Sequence, residues 1–213
     1  MSVSLINYSS GEKSIVDMIS YIARVSNPKN QHNTDTNERL IKYLLRNQHW
    51  SPFEMVSICL EINTTRDIAR QLLRHRSFSF QEFSQRYAVV DEPFVTKEAR
   101  LQDHVNRQNS MECDDANIQE EWVKKQQEVT SAVQAAYQWA LEKGIAKEVA
   151  RVVLPEGLTP SRLYMNGTLR SWIHYIQLRS ANGTQKEHRH VALACMEAIT
   201  PIFPMIRDIV QME

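Results

Sequence analysis

Apolar residues at every second position predict strands near the amino terminus and before the middle of the chain. The first predicted strand runs from Val3 to Tyr8, and the second lies between Glu54 and Asn63, where one face carries Val56, Ile58, Leu60 and Ile62. Such alternation is typical of a strand with one buried face. Two shorter apolar stretches, residues 88–90 and 161–165, are also predicted to be extended.

Apolar residues three and four positions apart predict helices over most of the remaining chain. This period is found in residues 15–22, 40–45, 68–73, 118–141, 147–154, 169–176 and 191–199. Thr64 or Thr65 can cap the third of these helices at its start, and Gly144 is placed to end the longest. The polar residues 91–115 are predicted to form a long loop that is open to motion.

The order of these elements favours the α+β class, because strands and helices mix without the strict alternation of a parallel α/β sheet. The chain has 213 residues, of which 42% are hydrophobic. This length and this hydrophobic content suffice for one buried core. We therefore expect a single domain over residues 1–213.

The charge balance of the chain limits its possible partners. Lysine plus arginine and aspartate plus glutamate each number 25, so the formal net charge is zero. A neutral chain lacks the long-range attraction typical of nucleic-acid-binding proteins, and we expect no nucleic acid partner. The five glycines form neither a GxGxxG nor a P-loop arrangement, so any nucleotide must be held by side chains.

The three cysteines, Cys59, Cys113 and Cys195, are odd in number and far apart, which favours a reducing compartment over a disulfide framework. Cys59 and Cys195 lie in apolar patterns typical of inert buried thiols, and acidic neighbours disfavour a thiolate at Cys113. His188 and His190 are two positions apart and would diverge on a helix, so we expect no metal site.

The chain lacks the apolar segments that direct proteins to membranes. No window approaches about 18 consecutive apolar residues, and the amino terminus has no basic region followed by a long apolar run. We therefore expect a soluble, cytoplasmic protein without a membrane partner.

Residues 74–87 combine charges and rings in a way that neither a core segment nor a solvated loop does. They contain three arginines and a histidine against one carboxylate, with three phenylalanines and a tyrosine between them. Guanidinium groups bind phosphate oxygens in pairs and stack on heterocycles, so this stretch suits a flat, anionic ligand. Short basic clusters are nevertheless usually solvated surface. The aromatic residues also allow a single-stranded RNA-binding module that stacks bases on Phe78, Phe80, Phe83 and Tyr87.

Two predicted helices have polar faces that can bind ligands. One presents Arg66, Arg70 and Arg74, and the other presents Arg170, His174 and Gln177. Arg66 and Arg70 fit surface salt bridges or subunit contacts as well as they fit ligand contacts.

The spacing within residues 74–87 resembles the signature of the flavin-dependent thymidylate synthases. In this chain Arg74-His75-Arg76 is followed by seven residues and then Ser84, with Ser79 between them and Arg86-Tyr87 after them. The resemblance extends in the same order to residues 49–54, 150–155, 169–171 and 178–179. Gln81 and His174 stand where many members have asparagine, and Gly183 stands where some have histidine.

The resemblance implies a reaction and an assembly. Members of this family make dTMP from dUMP, with the methylene group from 5,10-methylenetetrahydrofolate and the hydride from FAD that NADPH has reduced. Their fold is a mixed antiparallel sheet flanked by helices. They are homotetramers with active sites shared between subunits, and their partners are dUMP and folate.

The resemblance also implies site residues. The nucleotide (dUMP) contacts would be Gln71, Arg74, Glu82, Ser84, Gln85, Arg86, Arg151 and Arg179. The FAD contacts, partly from neighbouring chains, would be Ser51, Arg74, His75, Arg76, Glu82, Thr168, Arg170 and His174. His49 is either another flavin contact or a histidine that stabilises a helix C-terminus.

Arg179 and Ser84 are the candidate catalytic residues. By the resemblance, the Arg179 guanidinium would stabilise negative charge on N3 of the pyrimidine and on the adjacent carbonyl oxygen. Ser84 is the remaining candidate nucleophile. We favour a binding and orienting role for it, because the sequence demonstrates no histidine or aspartate partner.

Overall fold

The computed structural model describes residues 1–210 of the chain. Its strands are β1 (Ser2–Tyr8), β2 (Ser57–Thr65), β3 (Phe78–Glu82), β4 (Arg100–Gln102), β5 (Ser110–Glu112) and β6 (Pro160–Thr168). Its helices are α1 (Ile15–Ala23), α2 (Asn37–Arg46), α3 (Arg66–Leu72), α4 (Ala116–Glu142), α5 (Lys147–Ala150), α6 (Leu169–Ser180), α7 (Lys186–Ile199) and α8 (Ile206–Val210).

The main sheet has the strand order β1-β2-β6-β3, and every neighbouring pair is antiparallel. Its centre is the long pairing of β2 with β6, in which Leu60 lies opposite Met165 and Ile62 opposite Leu163. These four side chains are fully buried, whereas their neighbours along each strand are partly or fully exposed. The period of two in the sequence therefore marks the face of the sheet that the helices cover.

The main core lies between this sheet face and the helices α1, α2, α6 and α7. Trp172 of α6 is its largest fully buried side chain, and its indole Nε1 donates a hydrogen bond to the Ile58 carbonyl at 3.0 Å. A buried indole N–H needs such a partner, so this bond fixes how α6 sits on the sheet. The position of α6 matters because most of the candidate flavin contacts lie on it or beside it.

The long helix α4 packs less extensively. Tyr137 and Ala140 join Ala150 of α5 in a small separate cluster. Near the other end of α4, the buried Gln126 side chain donates to the Lys97 carbonyl and accepts from the Lys97 backbone N–H, both at 2.8 Å. These bonds attach residues 91–115 to the helix. Within residues 1–210 no helix is both long enough and apolar enough to cross a membrane.

The structure confirms the α+β class and most of the predicted elements. Thr65 stands at the N-cap position of α3, and Gly144 lies just beyond α4 with φ +74°, a left-handed conformation that glycine adopts without steric cost. The final long helix begins at Lys186, earlier than predicted. That one domain spans residues 1–213 stays a prediction, and residues 211–213 lie outside the described range.

The structure differs from the predicted elements in three places. Residues 88–90 form no strand, because the backbone N–H of Val90 bonds to the Tyr137 hydroxyl instead of a neighbouring strand. The stretch 74–87, for which no strand was predicted, contains β3. The predicted loop 91–115 contains the hairpin β4–β5, and the Gln119 side chain accepts from the Ala99 backbone N–H and donates to the Cys113 carbonyl.

Candidate functional site

Helix α6 organises the first set of candidate residues. Its N-cap is Thr168, whose hydroxyl oxygen accepts a hydrogen bond from the Ser171 backbone N–H at 3.2 Å. One side of α6 buries Trp172, Ile173 and Ile176 in the core. The other sides are left free to hold polar groups.

The amino-terminal half of α6 faces the 3-10 turn Ser51–Met55. Arg170 forms an ion pair with Glu54 of that turn, and the His174 ring meets Trp50 edge-on with the ring centres 4.7 Å apart. Burial, and then the charge of Arg170, lower the pKa of His174. The structure thus brings Ser51, Thr168, Arg170 and His174 to one place. His49 is exposed and packs edge-on against Tyr43 of α2.

The carboxy-terminal half of α6 faces the turn that follows α3. Arg179 Nε donates a hydrogen bond to His75 Nε2 at 3.1 Å, and the His75 ring lies edge-on to Tyr175 with centres 5.0 Å apart. Burial, and then the charge of Arg179, lower the pKa of His75 to about 4. His75 is therefore neutral near pH 7 and can accept this bond, which holds the guanidinium in place.

The two arginines beside His75 have no carboxylate partner in the described part of the chain. Arg74 and Arg76 are exposed, and neither takes part in an ion pair there. Ser171 of α6 donates a hydrogen bond to the Ser77 carbonyl at 3.3 Å, which ties this turn to the helix. Both arginines are thus held on a fixed backbone with their guanidinium groups available to an anion.

Gln71 belongs to the same region and contacts residues that the sequence did not single out as ligand-directed. Its Nε2 donates to Gln185 Oε1 at 2.7 Å, and its Oε1 lies 3.0 Å from His188 Nδ1. His188 is completely buried and His190 is exposed, so the two histidines diverge as expected. Gln185 and His188 were missed because more than a hundred residues separate them from Gln71, and no local pattern indicates that contact. We use the name α6 group for Gln71, the turn 74–77, Arg179 of α6, and the partners Gln185 and His188 at α7.

A second set of candidate residues lies elsewhere. Gln85 and Arg151 line a cleft of about 440 Å³ together with Arg66 and Arg70, and we call these four side chains the arginine cleft. The Gln85 side chain is 4% exposed, and its Nε2 has no hydrogen-bond partner among the described residues. A buried donor without a partner beside three guanidinium groups suits an anion such as phosphate.

Carboxylates border the arginine cleft. Arg66 pairs with Glu82 at 3.4 Å, and Arg70 pairs with Glu156 at 2.5 Å. Both arginines therefore form salt bridges, one of the alternatives that their sequence positions allowed. Arg86 pairs with Glu148 at 3.4 Å. Glu82 also accepts a hydrogen bond from the Ser161 hydroxyl at 2.7 Å. Because Glu82 is the last residue of β3 and Ser84 and Arg86 follow it closely, the end of that strand places all three on this side.

The candidate residues therefore form two groups. Along α6 lie Gln71, Arg74, His75, Arg76 and Arg179, with Ser51, Thr168, Arg170 and His174 towards its amino terminus. Around the arginine cleft lie Glu82, Ser84, Gln85, Arg86 and Arg151. No side-chain hydrogen bond or ion pair between residues 1 and 210 joins the two groups, and β3 lies between Arg76 and Ser84 in the sequence.

The phenylalanines of residues 74–87 do not form a stacking surface. Phe78 meets the buried Trp172 edge-on, with ring centres 4.8 Å apart, and Phe80 also packs against the core. Phe83 is half-buried, and only Tyr87, 77% exposed, is open to solvent. The RNA-binding alternative thus has no structural support.

The cysteines show no sign of activation as nucleophiles. All three are free thiols, and Cys195 is completely buried in the core. Burial raises the pKa of both Cys59 and Cys195, which disfavours the reactive thiolate. Between residues 1 and 210, no group of three or more histidine, cysteine, aspartate or glutamate side chains is arranged to hold a metal ion.

Comparison with known proteins identifies the relatives of this fold. The family model described as thymidylate synthase complementing protein, Thy1, matches residues 4–205. A probable flavin-dependent thymidylate synthase of Paramecium bursaria Chlorella virus 1 is 51% identical over 196 residues, which cover 92% of this chain and 90% of that protein. The flavin-dependent thymidylate synthase of Synechocystis sp. is 49% identical over 189 residues, covering 89% and 86% of the two chains.

A solved structure agrees with these matches. The crystal structure of a UMP/dUMP methylase, PolB from Streptomyces cacaoi, bound with 5-Br dUMP superposes with a TM-score of 0.85 at 27% identity, covering 99% of this chain and 94% of that one. Fold and relatives together define a nucleotide-modifying enzyme. Within that class, the chain belongs to the flavin-dependent thymidylate synthase family. It is an enzyme of thymidylate synthesis with FAD as cofactor.

The α6 group fits the flavin that this family requires. FAD carries two phosphates and flat ring systems, and Arg74 and Arg76 offer two guanidinium groups that no carboxylate neutralises within the described residues. The hydroxyls and imidazole of Ser51, Thr168 and His174 add hydrogen-bonding groups on the adjoining side of α6.

Proposed function

We propose that this enzyme converts dUMP to dTMP by reductive methylation, with the one-carbon unit from 5,10-methylenetetrahydrofolate and NADPH as the reductant. The observation that carries the proposal is the Arg179 guanidinium, held by neutral His75 beside two uncompensated arginines. That PolB was crystallised with a brominated dUMP supports a uridine nucleotide as the substrate. Bound beside α6, FAD would supply the hydride.

The arginine cleft is the proposed seat of the nucleotide phosphate. Arg151 and Gln85 both line it, and Gln85 Nε2 has no hydrogen-bond partner among the described residues. Ser84 and Arg86 are the sequence neighbours of Gln85 and add a hydroxyl and a guanidinium. A phosphate there would accept a hydrogen bond from the buried amide donor. It would also balance part of the arginine charge that Glu148 and Glu156 now balance. In this proposal Ser84 binds and orients the nucleotide and is not a nucleophile.

Arg179 is the proposed catalytic residue. The pyrimidine must become electron-rich at C5, which places negative charge on N3 and on the neighbouring carbonyl oxygen. A fixed guanidinium stabilises that charge without having to reorganise during the reaction. Since His75 already occupies Arg179 Nε, the two terminal nitrogens of the fork are the ones that can reach the pyrimidine.

The separation of the two groups supports an active site shared between chains of a homotetramer. In one chain Gln71 turns towards α7 through Gln185, whereas Arg66 and Arg70 turn towards Glu82 and Glu156. The arginine cleft of one subunit would then complete the α6 group of another. Residues at such a site come from both chains around each symmetric interface.

The three free thiols suit a reducing compartment. We therefore place the enzyme in the cytoplasm, where NADPH and folate are also at hand.

The first experiment asks whether the protein is this enzyme. Purified protein should be yellow with flavin absorbance near ~450 nm, be bleached anaerobically by NADPH, and form dTMP from dUMP and methylenetetrahydrofolate. A protein that takes up no FAD and forms no dTMP contradicts the proposal.

A second experiment tests the sharing of sites. Arg179→Ala and Arg151→Ala disable different groups, and each variant alone should be nearly inactive at low dUMP. Co-expressed, they should form mixed assemblies in which about a quarter of the sites are intact, because each site combines two chains at random. Activity no higher than that of either variant alone would show that both groups act within one chain.

A further inference from the structure

A chain of hydrogen bonds leads from the β4–β5 hairpin to Gln71. Arg100 of β4 pairs with Glu187 of α7 at 2.7 Å, and Gln185 Nε2 donates to Glu187 Oε2 at 2.9 Å. Gln185 Oε1 in turn accepts from Gln71 Nε2 at 2.7 Å, and Gln71 Oε1 lies 3.0 Å from His188 Nδ1. The side chains are half-buried or buried throughout, so water competes little for these bonds.

The carboxylate of Glu187 determines which group donates and which accepts in each hydrogen bond of this series. Burial alone would raise the pKa of Glu187, but its own backbone N–H, Arg100 and Gln185 outweigh burial and the pKa is lowered. An ionised carboxylate only accepts hydrogen bonds, so Gln185 must turn its amino group towards Glu187. Its carbonyl oxygen then faces Gln71, which must donate.

The same reasoning reaches His188. With its amino group committed to Gln185, Gln71 turns its carbonyl oxygen to His188, and Nδ1 must carry the proton. Burial, with the charges of Arg179 and His75, lowers the pKa of His188 to about 4, so its ring is neutral and has only one N–H. That leaves Nε2 as a buried acceptor, which has no partner among the described residues.

We propose that Glu187, acting through Gln185, is a positioning residue that fixes the amide orientation of Gln71 for the nucleotide and the Nδ1–H tautomer of His188. With these bonds made, Gln71 has one N–H and one oxygen lone pair left for a ligand, in fixed positions. The part that concerns the nucleotide rests on the proposed function, in which Gln71 contacts dUMP. Arg100 extends the relay to the hairpin.

The test removes the carboxylate and keeps its shape. In Glu187→Gln the residue at 187 can donate as well as accept, so the amides at 185 and 71 can turn over together. We expect the KM for dUMP to rise on the order of tenfold with a smaller change in kcat, as for one misdirected hydrogen bond. In the 15N spectrum of histidine-labelled holoenzyme, we expect His188 to change from Nδ1–H towards Nε2–H.

Two further variants separate this role from a loss of packing. The double variant Gln185→Glu/Glu187→Gln places a carboxylate next to Gln71, so it should restore both the Nδ1–H tautomer and the KM. Glu98→Gln removes another acidic partner of Arg100 and Lys186 without touching Gln185, and both readouts should stay as in the unchanged enzyme. His188→Asn assigns the signal by its disappearance.

Each outcome decides one point. An unchanged His188 tautomer in Glu187→Gln overturns the relay. A changed tautomer with an unchanged KM for dUMP supports the relay and overturns its link to the nucleotide. The NMR measurement needs no substrate, so it decides the relay even if the unchanged enzyme forms no dTMP, in which case the proposed function fails separately.

Discussion

The arginine cleft and the α6 group contain similar residue types, but they differ in how exposed these side chains are and in how many internal hydrogen bonds hold them. The arginine cleft is open, Arg70 pairs there with a carboxylate that is about half exposed, and Arg66 pairs with the mostly buried Glu82. The buried Gln85 amide donor has no hydrogen-bond partner among residues 1–210. In the α6 group, two histidines are neutral, and the Arg179 and Gln71 side chains are held by bonds within the protein. One region is completed by its ligand, and the other is organised before the ligand arrives.

This difference predicts different sensitivities. Exposed ion pairs are weak and are screened by salt, so the arginine cleft should bind an anion less well as ionic strength rises. Bonds between buried groups are screened much less, so the geometry of the α6 group should depend little on salt. Removing Arg179 from the second region should therefore affect the chemical step, whereas removing a group from the first should affect binding.

The largest expected effect is at Arg179. Arg179→Ala removes the fixed guanidinium and should lower kcat by roughly a hundred to a thousandfold, the usual loss for one donor at a developing charge. FAD content, read from the flavin absorbance, should fall far less. Arg189→Ala, which removes an exposed arginine of α7, is the control. Near-normal dTMP formation by Arg179→Ala would contradict the proposed role at N3.

Arg151 should show the binding behaviour of the other region. Arg151→Ala removes a charge-assisted contact to phosphate, and we expect the KM for dUMP to rise by about tenfold or more with kcat nearly unchanged. The salt dependence of KM should also become weaker. Arg46→Ala, at the exposed end of α2, should change neither. A large fall in kcat with an unchanged KM would assign Arg151 to the chemistry instead.

The neutral histidines predict a dependence of stability on pH. The pKa values of His75 and His188 are lowered from the ordinary 6.5 to about 4, so the folded state binds fewer protons than the unfolded state between these values. Their contribution to stability is fully present above pH 6.5 and is lost as the pH falls towards about 4. Denaturation midpoints measured across this range should fall, and His75→Gln should make the fall shallower. An identical slope in His75→Gln would show that its ring is not held neutral.

The smallest expected effect is at Ser84. Ser84→Ala removes one neutral hydroxyl from the edge of the arginine cleft, so the KM for dUMP should rise by about threefold, with turnover retained. The measurement is steady-state dTMP formation at varied dUMP. Complete loss of chemistry while dUMP still binds would instead identify Ser84 as a nucleophile.

The elements that sequence predicted well have a repeating apolar period and one buried face. In β2, Ile58, Leu60 and Ile62 are all fully buried, and the pattern of this strand was clear for that reason. In β3 only Phe78 and Phe80 face the core, and two apolar positions are too few to predict a strand. The strands of the hairpin have three residues each and are mostly exposed, so hydrophobic burial leaves no pattern in them.

The candidate site was predicted through a resemblance and not through physical pattern. The motif identified the residue types, but it did not indicate that they divide between α6 and the arginine cleft. The contact of Gln71 with Gln185 joins elements far apart in the chain, and it depends on how α3 and α7 pack. Propensity and periodicity report local geometry, so contacts of this kind become visible only in the folded molecule.

Strand β3 also fixes the spacing between residues 74–76 and residues 84–86 of the motif. Its five residues pair in register with β6, from Phe78 opposite Gly167 to Glu82 opposite Leu163. An extended strand of that length spans roughly 16 Å, which keeps the residues before Phe78 apart from those after Glu82. Inserting one residue would turn Phe78 and Phe80 out of the core or move Glu82 away from Ser161, so the spacing of the motif is a mechanical constraint of the sheet.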